Sequence, residues 1–472
     1  MLGDSRRGQG EEMFHAFFVD QLIPANHILR ALDKALDTRW VRDEVASCYS
    51  ATRGRRSWDP EVIVRMMLLG YLYGYSEKRL CDETRMHLGF RWFCRIQPSD
   101  PVPDRTTLVK LRNERWQQEL WVKILEKSIE ACVKAGLVSG RHVAIDGTVI
   151  QANAAMGSLE PIEPPLSLRD HLLRRCGWVK FIPTEAAPEK PTDDDPRPGG
   201  SADFRGQTRS NATHCSVTDP DAMLYRKGAC TGAQLAYLGH AALDTKSRVV
   251  LAVTVTPAHT SAEWDAGAKL LDEANARVDD QIEVVSADAG YGVARFLAEV
   301  EARGLEAHIP VRGKHDIRPE PPKPVWARKV VEHAAARRAR KRRLSVRGRN
   351  RALRAAKTRG YRISRKLRLR IEHLFGEAKT CHGLGRARYR GLAKVQRQML
   401  LTAAAINLKR LAASLGRRRA PANAVAKRVE RACFSPFSAL VRLRKALTGL
   451  QAALTGIQTP ALLGGRDALV HA

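Results

Sequence analysis

Apolar positions in the first third of the chain recur at helical spacing. Two helices are predicted around Phe14–Leu22 and Ile28–Leu36, interrupted by Pro24, with Asn26 placed to cap the second. Asp59-Pro60 pairs a capping side chain with a proline suited to the first helical position. It opens a strongly apolar helix through Val62, Ile63, Met66, Met67, Leu68 and Tyr71. Another helix follows near Glu77–Met86. Pro103-Asp104-Arg105-Thr106-Thr107 then caps a segment carrying Leu108, Leu111 and Trp116, ringed by Arg105, Lys110, Arg112 and Arg115. A long helix from Glu119 to Ala135 stops at Gly136. Residues 11–137 are therefore expected to form an all-helical domain.

The period changes after Gly140. Val143–Ile145 read as a short buried strand, with Asp146 at its end and Gly147 letting the backbone turn. Residues 156–203 are rich in Pro, Gly and Asp, as expected of a long surface insertion or a partly disordered loop. Strands are then predicted at Tyr237–Leu243 and Val249–Val255, joined by a hairpin turn over Asp244-Thr245-Lys246-Ser247. A helix spans Glu263–Val278. Ile282–Ser286 repeats the earlier design, an apolar strand followed by Asp288 and a glycine. A helix over Val293–Arg303 and a strand over Ala307–Val311 complete the series. This order suits an α/β domain: a mixed sheet with flanking helices, preceded by an all-helical N-terminal domain. The sheet domain is expected to span 138–412, with a basic insertion near 314–362. Within it a helix starts near Ser364 after a break at Gly360-Tyr361, and another covers Ala393–Leu411. Residues 413–472 read as a basic tail, partly disordered.

Charge decides the class of partner. The chain has 472 residues, 44% of them hydrophobic, and a formal net charge of +30. Such a balance repels itself unless a polyanion shares it, which points to double-stranded DNA or to RNA. From Arg337 to Arg370 there are seventeen Lys or Arg and no Asp or Glu. No apolar run approaches the ~20 residues that span a bilayer, so no membrane partner is expected. The start of the chain is charged and polar, unlike a secretory leader. The nine cysteines form no CxxC pair, which argues against a zinc finger and a disulfide framework. A cytoplasmic, nucleoid-associated location follows. The basic helical domain is equally readable as a trihelical DNA reader or as a packing or dimerisation domain.

The candidate chemistry lies in Asp146, Asp288 and Glu372, with Arg368 one helical turn before the glutamate and Lys379 two turns after it. Three carboxylates brought together repel one another unless cations neutralise them. Hard oxygen donors of this kind suit Mg²⁺, with Mn²⁺ as a substitute. Two such ions about 4 Å apart serve phosphoryl transfer, while Arg368 and Lys379 hold phosphates. Other polar residues have plainer readings. His240 suits a satisfied core histidine, and His259 a helix cap or a residue lining the site. Asp219 and Asp221 flank Pro220 in a turn. Glu377 points to another face of its helix from Glu372, and Asp316 lies in a charged, Pro-rich loop.

These pieces together resemble a bacterial insertion-sequence transposase of the Asp-Asp-Glu class, with a ribonuclease-H-like catalytic core. The resemblance rests on Ile145-Asp146-Gly147-Thr148 with Ala152-Asn153-Ala154, on Ser216 to Ala222 with Lys227-Gly228 and Tyr237-Leu238-Gly239-His240, and on Ala287-Asp288-Ala289-Gly290-Tyr291. It rests also on Arg368, Glu372 and Lys379 at their mutual spacing, with Arg390-Gly391-Leu392 and Asn407-Leu408-Lys409 beyond. Ser57-Trp58-Asp59-Pro60 and Pro103 to Thr107 extend it to the N-terminal region, so that it spans roughly residues 11–412. The resemblance implies a catalytic and metal-binding triad of Asp146, Asp288 and Glu372, assisted by Arg368 and Lys379. It further implies cleavage at terminal inverted repeats, transfer of the 3′ ends to target DNA, and a homodimer on DNA. Where the family often places a tyrosine three residues before that arginine, this chain has Arg365, with Tyr361 one turn further off. A nuclease without strand transfer and an inactive transposase-derived DNA-binding protein are the alternatives.

Overall fold

The computed structural model describes residues 18–50, 57–162, 209–226, 232–259, 262–279, 281–313, 315–317 and 333–419. The expected insertion at 156–203 lies outside them except for its first seven residues, as does the basic tail beyond 419. The described residues up to Ser414 form one compact unit.

The N-terminal region is helical throughout: α1 (Val19–Leu22), α2 (Ile28–Ala35), α3 (Trp40–Val45), α4 (Pro60–Leu72), α5 (Glu77–Met86), α6 (Leu88–Cys94), α7 (Arg105–Lys110) and α8 (Gln118–Lys134). Local signals set most of the boundaries. The Asp59 side chain accepts the Glu61 amide at the start of α4. Asp104 accepts the Thr107 amide at 2.7 Å to start α7. Gly136, at φ +65, ends α8 in a conformation that a side chain disfavours. One expected cap differs. His27, not Asn26, caps α2 by accepting the Leu29 amide.

The sheet has six strands: β1 (His142–Gln151), β4 (Met223–Tyr225), β5 (Gln234–Asp244), β6 (Val250–Pro257), β7 (Val284–Ser286) and β8 (Glu306–His308). A separate pair joins β2 (Leu159–Pro161) to β3 (His214–Ser216). β5 lies antiparallel between β1 and β6, while β7 and β8 run parallel to β1 on its other side. Flanking helices are α9 (Ala262–Ala276), α10 (Ala294–Ala302), α11 (His333–Ala355), α12 (Arg359–Cys381) and α13 (Leu392–Arg419). This mixed sheet, antiparallel on one side of β1 and parallel on the other, with helices around it, matches an RNase H-like core.

Two expectations need correcting. The strand does not end at Asp146: β1 runs on through Gly147 to Gln151, because Gly147 to Gln151 stay paired with His240 to Ala236 of β5. Nor does the helix break fall at Gly360. It falls between Ala355 and Arg359, where Thr358 caps α12 by accepting the Tyr361 amide.

The helical region and the sheet domain share buried polar ties. His382 Nδ1 lies 2.9 Å from the Tyr71 carbonyl, and Arg388 donates to the Tyr75 carbonyl. Asn407 of α13 donates to Ser128 of α8 and to the Val250 carbonyl, and accepts the Val250 amide. One buried amide thus joins the helical region to β6.

Candidate active site

Strand register brings the first two carboxylates together. Ala144 of β1 pairs with Ser286 of β7 in parallel. Two residues further along each chain stand Asp146 and Asp288. β7 ends at Ser286, so Asp288 leaves the sheet beside the edge of β1 that β7 no longer covers, while β5 stays paired along the other edge. Its side chain then turns back to accept the amides of Gly290 (2.9 Å) and Tyr291 (3.3 Å), fixing a 3₁₀ turn over Ala289–Tyr291.

Helix α12 supplies the third. Arg368 and Glu372 face each other across one turn at 2.7 Å, and the same guanidinium comes within 3.8 Å of Asp146. Ser364, one turn before Arg368, bonds His308 of β8 at 2.5 Å, which pins the start of the helix to the sheet. Lys379 lies seven residues past Glu372, almost two full turns and about 10 Å along the same face. It sits exposed.

The electrostatics follow from burial. The Asp146 side chain is 19% exposed. Burial pushes its carboxyl up to about 6, the charges of Asp288 and Glu372 add to the rise, and the Gly147 amide and Arg368 oppose it. Asp146 accepts the Gly147 amide at 2.8 Å.

A fourth acidic side chain is near. Glu263, in the first turn of α9, is raised by burial and then by the charges of Asp288 and Asp146. In the sequence it marks only the start of a helix, and an acidic residue in a first helical turn gives no signal of anything more. Gly147 marks the place. A Cβ there would stand 3.2 Å from His240 Nδ1 and 3.6 Å from Glu263 Oε1.

The remaining polar candidates resolve into packing roles. His240 is fully buried, with Nε2 against Thr256 Oγ1 at 2.9 Å, and burial holds its imidazole down at about 3. His259 is likewise lowered by burial. Asp219 is buried and accepts the Tyr237 hydroxyl (2.6 Å) and the Gly391 amide (2.9 Å), while Asp221 accepts the Leu392 amide, so the turn clamps the start of α13. Glu377 is held below the usual carboxylate range by His382, Lys409 and Arg410. Asp316 pairs with Arg354. Tyr361 is buried against His308, and Arg365 is exposed.

Among the described residues, no group of three His, Cys, Asp or Glu side chains is gathered to hold a metal ion. The donors nonetheless suit a hard cation in kind. The carboxylates repel one another, a guanidinium bridges Asp146 and Glu372 where positive charge is needed, and Gly147 leaves a cradle beside them. Among the described residues, no helix is long and apolar enough to cross a membrane.

Residues 17–114 match a family model described as "Transposase domain (DUF772)", and residues 212–408 match one described as "Transposase DDE domain". The second match contains Asp288, Arg368, Glu372 and Lys379. Asp146 falls between the two. No solved structure matches the chain.

Proposed function

The chain carries two transposase-family regions, a helical one ahead of an RNase H-like mixed-sheet domain, and on that premise we propose that it is a DNA transposase acting as a polynucleotidyl transferase. It cuts DNA at the ends of its element, and the freed 3′-hydroxyls attack target DNA. The observation that carries this reading is the register of β1 and β7, which sets Asp146 beside Asp288 within reach of the Arg368–Glu372 pair of α12.

Asp146, Asp288 and Glu372 would hold the divalent cations, taken to be two Mg²⁺ with Mn²⁺ able to substitute. Such cations lower the pKa of an attacking water or hydroxyl and offset charge on the phosphoryl oxygens. The chain's own residues do the rest. Asp146 is held rigidly in mid-strand, with β5 paired along one side. Arg368 can exchange its carboxylate partners for a phosphate, which its planar fork matches. Lys379, further down the same face, suits a flanking phosphate. Residues 11–137 would read the terminal repeats or dimerise, and a homodimer on DNA would handle two ends together.

A donor-cleavage and strand-transfer assay with Mg²⁺ tests the proposal. Asp146→Asn should lower both activities by more than about 100-fold, the upper range seen even for residues that only support a metal ligand. Full retained activity would sink the assignment. Joined DNA products identify a transposase, whereas cut ends alone identify a nuclease.

A further inference from the structure

We propose that Glu263 is a fourth carboxylate of this site, directed at the divalent cation through the space over Gly147 that it shares with His240 Nδ1; this rests on the metal-dependent reading above. Two independent side chains meet there. Glu263 Oε1 stands 3.6 Å from the position a Gly147 Cβ would take, and His240 Nδ1 stands 3.2 Å from the same point. His240 is fully buried, its Nε2 is occupied by Thr256, and among the described residues its Nδ1 has no hydrogen-bond partner. A buried polar atom without a partner costs stability unless a ligand or water meets it.

An acidic residue in the first turn of a helix is ordinary, since it faces the positive end of the helix dipole. Asp265, two residues on, fits that description and pairs with Arg295. Glu263 does not. It is half-buried, turned toward β1, and forms no ion pair among the described residues. The helix start is also fixed against the site. Trp264 donates its indole N–H to the Gly290 carbonyl at 3.0 Å, tying α9 to the turn that carries Asp288. Successive strand residues face opposite sides of a sheet. Asp146 therefore meets α12 on one face, while Gly147, having no side chain, opens the other face to α9. Past Ala144 β7 no longer covers the edge of β1, so carboxylates from the two faces can approach one ion at that edge.

The test uses the full chain and Mn²⁺ alone, with affinity measured by calorimetry for the parent, Glu263→Gln, Asp146→Asn and Glu283→Gln, the last an exposed carboxylate away from the site. Glu263→Gln should weaken Mn²⁺ binding by about 10-fold or more, the low end for groups that support a metal site, and Glu283→Gln should leave it unchanged. An affinity within twofold of the parent for Glu263→Gln, with Asp146→Asn weakened, overturns the role of Glu263 and leaves the transposase reading standing. Unchanged binding in both overturns the two together. A second readout does not depend on how the variants fold. Fe²⁺ with ascorbate and peroxide should cleave the parent backbone near Gly147 and Glu263, and cleavage near Gly147 without cleavage near Glu263 refutes the proposal.

Discussion

Asp146 carries a charge that the folded chain resists. Its carboxyl, at about 6 against an ordinary 3.8, is raised first by burial and then by neighbouring carboxylates. The stability consequence has a definite sign. A raised folded-state pKa means that the protonated form suits the fold, so stability is full below about pH 4 and is lost as pH rises through about 6. In metal-free protein at pH 8, Asp146→Asn should therefore be more stable than the parent, by at most about 3 kcal/mol for a shift of roughly two units. The gain should vanish near pH 3.5. Urea titrations of both proteins at the two pH values check this, and a parent more stable than the variant at pH 8 would contradict it. A substitution that stabilises the fold while removing cleavage is what a functional carboxylate predicts and a structural one does not.

At the scale of elements, the turn after β7 decides where Asp288 sits. Gly292 follows this turn, and a Cβ on it would stand 2.2 Å from the Pro310 carbonyl oxygen, a backbone atom that cannot swing aside. Gly292→Ala should destabilise the protein by about 1–3 kcal/mol, the range for forced overpacking, and should displace the Asp288 turn with a matching loss of cleavage. Gly376, within α12, has nothing within 4 Å of such a Cβ. Gly376→Ala should leave stability unchanged or raise it by up to about 1 kcal/mol, from helix propensity alone. Equal effects at the two glycines in chemical denaturation would refute the assignment of the strain to Pro310.

For the whole molecule, the net charge of +30 is not all offered to a partner. Helix α11 divides its arginines. Lys341 faces Glu299, Arg347 and Arg351 face Glu301, Arg354 pairs with Asp316, and Arg349 donates to backbone carbonyls. Arg338, Arg340 and Arg343 stand exposed. Neutralising these three together should flatten the salt dependence of DNA binding by about 2–3 units in log–log slope, near 0.9 per phosphate contact. Neutralising Arg347 and Arg351 should leave the slope unchanged and cost a little stability instead. Binding titrations from 50 to 200 mM salt separate the two outcomes, and equal slopes for both variants would argue against this division.

Hydrophobic period and capping residues sufficed, without any contact information, to locate the β5–β6 hairpin, the two aspartates that each come after a run of apolar strand residues, and helices α2, α4, α5, α7 and α8, but not the short α3 and α6. These are local properties, set by neighbouring residues in the chain. Glu372 stood out for a related reason: it is the first acidic residue after a long basic run. Other features depended on the tertiary structure because they are properties of pairs far apart in sequence. The continuation of β1 past Asp146 comes from its pairing with β5, and the nearness of Asp146 to Asp288 comes from the register of Ala144 with Ser286. Glu263 gave no signal, since a first-turn glutamate looks the same whether it faces solvent or the bare backbone of a glycine on another strand. The sequence by itself determined most of the elements and singled out the carboxylates Asp146, Asp288 and Glu372 that they carry. Only the packing of two helices on opposite faces of β1 decided which of those carboxylates share one electrostatic field, because Coulomb energy depends on distance in space and not on separation along the chain.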